Sequence, residues 1–235
     1  MLADELKTGK WLLVNKPKGM TSFGAVFTIR KAYQRLTREK LKVGHAGTLD
    51  PLASGLLIIC TGRETKNIDR FMGLPKTYTG TLVLGASTPS FDMETEPDAH
   101  FPTGHITPDL IRETALTFLG VSHQIPPAFS AIKMGGKKAY DLARSGREVK
   151  MAPREIEITS FRISDIRFPE VDFEITCSKG TYIRSIAHDF GLRMNAGAYL
   201  KELCRTAIGN FSLTEAKSPV EWANGLFPEQ ETADY

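Results

Sequence analysis

The chain has 235 residues, 41% of them hydrophobic and 24% charged, which suits a water-soluble globular protein of one large domain or two small ones. No apolar run approaches the ~20 residues needed to span a bilayer, and the acidic opening Met1-Leu2-Ala3-Asp4-Glu5 lacks the basic and apolar regions of a signal peptide, so a cytoplasmic protein is expected. Net charge is only +3, yet between Lys7 and Lys42 ten basic residues face a single acid, Glu39, which is the footprint of a polyanionic partner or of a solvated helix face.

Residues 11–14 (Trp-Leu-Leu-Val) read as a short buried strand, ended by Asn15-Lys16-Pro17-Lys18-Gly19. Ser22 is a candidate cap for a helix to about Leu36, with Ala25, Val26, Ile29 and Tyr33 on one apolar face. A Gly-rich loop follows. Residues 56–60 form a buried strand, Thr61 is a candidate cap for a helix through about Met72, and residues 76–84 alternate as a strand should. Residues 90–107 are polar, acidic and Pro-rich and are expected to be an exposed loop or hairpin tip. Thr107-Pro108 opens a helix to about Leu119. Ile125-Pro126-Pro127 is extended. A strand over 128–134, a Gly135-Gly136 turn and a helix over 137–145 stopped by Gly146 come next. Strand alternation returns over 156–166 and 171–177, then a helix over about 181–194, a strand over 203–211 and a last short helix opened by Ser218-Pro219. Strands and helices mix without strict alternation, which predicts an α+β fold with a mixed, mainly antiparallel sheet flanked by helices. No repeat or linker stands out, so a single domain is expected.

The most informative stretch is Gly44-His45-Ala46-Gly47-Thr48-Leu49-Asp50-Pro51-Leu52-Ala53-Ser54-Gly55. Pro51 pushes Asp50 away from helical geometry, and the glycines permit sharp turns and close approach of another molecule. A carboxylate held so stiffly suits a nucleophile or a general base, and otherwise caps a turn. No His-x-x-x-His or acidic cluster lies nearby to suggest a metal. Cys60, Cys177 and Cys204 are far apart and never in a Cys-x-x-Cys pair, against a disulfide framework or a zinc site.

Three other segments bear chemistry. Ser178-Lys179-Gly180-Thr181-Tyr182-Ile183-Arg184 combines a turn, a helix start, an aromatic ring and a guanidinium, suited to phosphate or to a carboxylate, or else to a packed tyrosine and a surface arginine. Tyr78, beside Lys76, is either a core residue or a stacking platform for a base. Lys16 lies on a turn that lacks the Gly-Lys-Ser/Thr ending of a nucleotide-binding loop. A second basic run holds Lys133, Lys137, Lys138, Arg144, Arg147, Lys150 and Arg154 against Asp141 and Glu148.

In this order, the segments resemble the TruB family of pseudouridine synthases. The matching pieces are Asn15-Lys16-Pro17-x-Gly19-Met20-Thr21-Ser22, the Asp50 loop, Lys76-x-Tyr78, Gln124-Ile125-Pro126-Pro127-x-Phe129-Ser130-Ala131-Ile132-Lys133, Cys177 through Arg184, and Leu203-Cys204-Arg205-Thr206. They run from about Trp11 to Phe211.

The resemblance implies a pseudouridine-synthase catalytic fold and a reaction without metal or cofactor. A uridine in the TΨC stem-loop of transfer RNA, position 55, is flipped out, its C1′–N1 bond is broken, and C5 is joined to C1′. By the same resemblance Asp50 is the catalytic carboxylate, adding to the ring or sugar or assisting proton removal at C2′. Tyr78 stacks on the uracil, Arg184 pairs with Asp50, and Tyr182 and Leu203 line the pocket. His45 takes the place of the flipped base or stacks in the loop, and Lys16 supports the Asp50 loop or neutralises phosphate. Many bacterial members carry a C-terminal PUA domain. Only about two dozen residues follow Phe211 here, so a standalone bacterial type without that domain, acting as a monomer, is expected. The alternative reading is a tRNA-binding folding factor whose modification activity is secondary, and a hydrolase with an aspartyl nucleophile is a third.

Overall fold

The computed structural model describes residues 2–130, 132–134, 136–145 and 151–227. In chain order the elements are α1 (Leu2–Thr8), β1 (Trp11–Lys16), α2 (Ser22–Thr37), β2 (Val43–His45), β3 (Ser54–Thr61), a 3-10 turn (Gly62–Asn67), α3 (Ile68–Met72) and β4 (Lys76–Leu84). There follow β5 (Ala86–Ser87), β6 (Ala99–His100), α4 (Pro108–Leu116), β7 (Gly120–Gln124), β8 (Lys133–Met134), β9 (Lys137–Lys138), α5 (Ala139–Arg144) and β10 (Arg154–Arg167). The chain closes with β11 (Glu170–Cys177), α6 (Ile183–Arg193), β12 (Ala198–Ile208), β13 (Phe211–Ser212) and α7 (Pro219–Asn224). Two compact units divide it: Met1–Leu74 with Cys204–Tyr235, and Pro75–Leu203. The boundary falls within β12.

In the first unit β3 is central. It pairs antiparallel with β1, from Trp11↔Cys60 to Lys16↔Gly55, and with β2, from Val43↔Thr61 to His45↔Ile59. The end of β12 joins it in parallel at Cys204↔Ser54 and Arg205↔Gly55. Side chains alternate across a strand, and here both faces are covered. Leu57 and Ile59 pack with Leu12, Val14, Val26, Ile29 and Tyr33, while Leu56, Ile58 and Cys60 pack with Leu13, Phe71 and Ile208. This double burial explains why the sequence Ser-Gly-Leu-Leu-Ile-Ile-Cys-Thr has no charged residue. It also pushes the Cys60 thiol up to about 11, so this cysteine is a packing group.

In the second unit β4, β11, β10 and β7 pair antiparallel in that order. Its aromatic core includes Phe118, Phe161, Phe173 and Phe190, with Phe161 edge-on to both Phe118 and Phe173 at centroid separations of 5.8 Å. The content is thus α+β with a mainly antiparallel sheet flanked by helices, as the sequence predicts.

Several local expectations shift. The cap of α2 is Thr21, whose hydroxyl accepts from the Gly24 amide, because the Ser22 hydroxyl is occupied elsewhere. Thr61 precedes a 3-10 turn without capping it; its hydroxyl instead exchanges hydrogen bonds with the Lys10 backbone. Within the segment expected to be exposed, Ser90 and Asp92 are buried, and β6 pairs with β5. Of the strand expected over 128–134, only Lys133–Met134 forms, while Ala131, Gly135 and Gly146, with Arg147, Glu148 and Lys150 of the second basic run, lie outside the described residues. Helix α1 and strand β7 have no counterpart among the sequence expectations.

Candidate active site

The Asp50 loop joins β2 to β3 and is tied down at nearly every turn. The Ala46 amide donates to the Ile58 carbonyl at 2.8 Å, and the Gly19 amide to the Pro51 carbonyl at 2.8 Å. The Ser22 hydroxyl donates to the Leu49 carbonyl at 3.0 Å and accepts from the Leu49 amide at 2.8 Å. One helical serine thus satisfies both backbone groups of the residue before Asp50. The Ala53 amide closes the turn on the Asp50 carbonyl at 3.1 Å. Gly55 has φ +106°, and a Cβ there would lie 2.3 Å from the Arg205 carbonyl oxygen, so only glycine fits. Asp50 itself is half-buried.

Two buried cations sit beneath the loop. Lys16 is fully buried, and its ammonium donates to the carbonyls of Pro17 at 3.0 Å, Met20 at 2.7 Å and Ala53. Burial lowers its pKa to about 8; the Asp50 charge opposes that fall and Arg205 adds to it. Arg205, 1% exposed, donates from Nε to the Leu56 carbonyl at 2.7 Å and from Nη2 to the Gly47 carbonyl at 3.1 Å. The Asp50 loop is therefore gripped from both ends by cations that donate to its backbone carbonyls. Loop support, one of the two roles that the resemblance implies for Lys16, fits this geometry. Arg205 stands in a family motif with no task that the sequence assigns. Carbonyl acceptors leave no trace in sequence, so only an arginine amid strand alternation hints at it.

His45, at the end of β2, is half-buried, and its Nδ1 is buried without a hydrogen-bond partner. Burial, with a smaller push from Arg205, lowers its pKa, which favours a neutral ring at pH 7. The structure thus brings Lys16, His45 and Asp50 together in one unit.

The other expected residues belong to the second unit. Tyr78 is buried on β4 opposite Ile175. Tyr182 precedes α6, and the Gln124 side-chain amide clamps its backbone, accepting from its N–H at 2.8 Å and donating to its carbonyl at 3.0 Å. The Arg154 guanidinium lies 5.0 Å from the Tyr182 ring centroid. Leu203 is half-buried in β12. Arg184, in the first turn of α6, is 3% exposed; its Nε lies 3.6 Å from Asp92 Oδ2, and its Nη1 donates to the Ser90 carbonyl at 3.3 Å.

Asp92 is a buried acid in a run that sequence alone marks as exposed. Its carboxylate accepts from the Ser90 hydroxyl at 2.6 Å and the Glu94 amide at 2.9 Å, which orients it toward Arg184. Between them Phe91, at φ +63°, stacks on His188 with centroids 3.9 Å apart. Among the described residues, no group of three or more His, Cys, Asp or Glu side chains is disposed to hold a metal ion.

Chemically, the Asp50 loop offers a carboxylate whose backbone cannot drift and whose charge is balanced by an internal ammonium. Such an acid is preorganised for attack or proton transfer.

Comparison with known proteins gives a consistent family. A family model described as "TruB family pseudouridylate synthase (N terminal domain)" matches residues 34–183. A protein of Bacteroides fragilis named tRNA pseudouridine synthase B is 48% identical over 94% of this chain and 95% of its own length. One of the same name from Flavobacterium johnsoniae is 49% identical over 92% of this chain and 95% of its own. Among solved structures, a Cbf5-Nop10-Gar1 complex contains a chain 27% identical, with TM-score 0.68, covering 90% of this chain. This chain spans about half, 52%, of that chain's length. A chain of an archaeal box H/ACA sRNP Nop10-Cbf5 complex, 23% identical with TM-score 0.65, shares the fold.

Proposed function

The chain belongs to the TruB family of pseudouridylate synthases, and from that membership we propose that it converts a uridine of the TΨC loop of transfer RNA, position 55, to pseudouridine. The observation that carries the reading is the Asp50 loop. It couples a fixed carboxylate to a sequence pattern of this family, and relatives similar along nearly the whole chain carry the name tRNA pseudouridine synthase B.

Asp50 is the catalytic carboxylate in this reading. The target bond lies inside a folded RNA loop, so the nucleotide is flipped out before Asp50 acts. Breakage of C1′–N1 frees the uracil to turn, C5 bonds to C1′, the C5 proton leaves to solvent, and N1 takes up a proton from solvent. The atoms balance without an added reactant, as befits an isomerisation. Tyr78 stacks on the turned uracil, Tyr182 and Leu203 bound it, and Arg184 supplies positive charge. The neutral His45 ring takes the space left by the flipped base, a role supported by its unused Nδ1. Lys16 and Arg205 keep the loop in shape. The protein works as a cytoplasmic monomer.

A TΨC stem-loop transcript tritiated at uridine C5 tests the chemistry. The reading predicts tritium released to water in step with pseudouridine formed, and a loss of at least about 1,000-fold in Asp50→Asn. Release of free uracil would instead identify a glycosidase. Full activity in Asp50→Asn would remove that residue from the mechanism.

A further inference from the structure

We infer that the outward face of α2 is an RNA-contact surface, holding unpaired nucleotides that flank the target uridine. The identity of the RNA rests on the proposed synthase reading; the surface rests on the helix itself.

Helix α2 buries Ser22, Ala25, Val26, Ile29 and Tyr33. On its other side Phe23 is 60% exposed and Phe27 46% exposed. Residues four apart are neighbours on a helix, so the two rings form one patch. The Arg30 guanidinium lies 5.5 Å from the Phe23 centroid and 5.6 Å from that of Phe27. Lys31 and Gln34 extend the stripe and are exposed. From Phe23 to Gln34 it runs roughly 16 Å at the helical rise.

Two properties decide what this face takes. Large exposed rings favour a flat or apolar occupant. The helix carries Arg30, Lys31 and Arg35 and no acid, so that occupant is anionic. Single-stranded RNA supplies both at once, a π-face for each ring and a phosphate for each cation. The position agrees. Helix α2 starts against the Asp50 loop, where the Ser22 hydroxyl bonds Leu49 just before Asp50, so nucleotides flanking a uridine held at Asp50 come within reach of its first turns.

The test is equilibrium binding of a TΨC stem-loop transcript to the whole protein. Phe23→Ala/Phe27→Ala is expected to weaken affinity about 10- to 100-fold, and Arg30→Gln to lower the salt slope by about one. Leu116→Ala, on α4 and 62% exposed, is expected to bind as wild type does. Affinity within about twofold of wild type in the double variant overturns the inference. So does an equal loss in Leu116→Ala, or a dimer that the double variant dissociates while RNA affinity holds, which would make the face a contact between copies. Failure of the synthase reading looks different: wild-type protein would form no pseudouridine in this transcript, while binding would still depend on Phe23 and Phe27.

Discussion

Asp50 owes its setting to the groups that hold its loop. Lys16 is the clearest case. Its pKa of about 8 lies below the ordinary 10.5, chiefly through burial. Between those values the unfolded chain holds this proton and the folded chain does not, so the group's contribution to stability rises with pH across that window. Activity is expected to move the other way, because the neutral amine has one donor fewer for the carbonyls of Pro17, Met20 and Ala53. A kcat/KM profile should fall as pH rises through about 8 in the wild type, and Lys16→Met should be less active with that limb absent. An unchanged limb in the variant would assign the titration elsewhere. Arg205 makes a second prediction at this scale. Arg205→Met leaves the Leu56 and Gly47 carbonyls without their buried donor, and denaturant melts should show a loss of about 3 kcal/mol. A loss below about 0.5 kcal/mol would mean that the loop holds without it.

At the scale of elements, what joins them to the loop matters more than their own regularity. The parallel pairing of β12 on β3 forces backbone contact at Gly55, with φ +106° and the Arg205 carbonyl 2.3 Å from any added Cβ. Gly55→Ala is therefore expected to cost about 3 kcal/mol or more, read as a lowered melting temperature, together with lost activity. A variant as stable as wild type would contradict the pairing of Gly55 with Arg205. Much of this framework is legible in the sequence. The apolar run of β3, the alternation of β4, β10 and β11, and the Thr107-Pro108 start of α4 all follow from local rules. Helix α1 and β7 are not legible, because each is short and draws its order from packing rather than period. Ser22 shows the same limit on a single residue: its type fits a cap, but a partner 27 positions on, Leu49, takes its hydroxyl. Asp92 is the strongest case. Its burial depends on Arg184, far along the chain, and nothing in the acidic run 92–98 distinguishes it from its neighbours.

For the whole molecule, charge placement outweighs net charge. Of the ten basic residues between Lys7 and Lys42, Lys7 pairs with Glu39 and Lys10 with Glu5, both as exposed pairs of little energetic weight. The rest of that stretch is nearly free of acids. RNA affinity should therefore fall steeply with salt, log Kobs dropping linearly with log salt concentration by about 0.7–0.9 per phosphate neutralised. A flat response would detach the basic stretch from RNA binding. Everything turns on whether Asp50 makes pseudouridine in transfer RNA. That is decided by pseudouridine mapping in RNA from cells lacking this protein, complemented with wild type or with Asp50→Asn. The expected pattern is a TΨC-loop pseudouridine at position 55 that is absent from the deletion, restored by wild type and not restored by Asp50→Asn; a mark that persists without the protein, or returns with the variant, would refute the assignment.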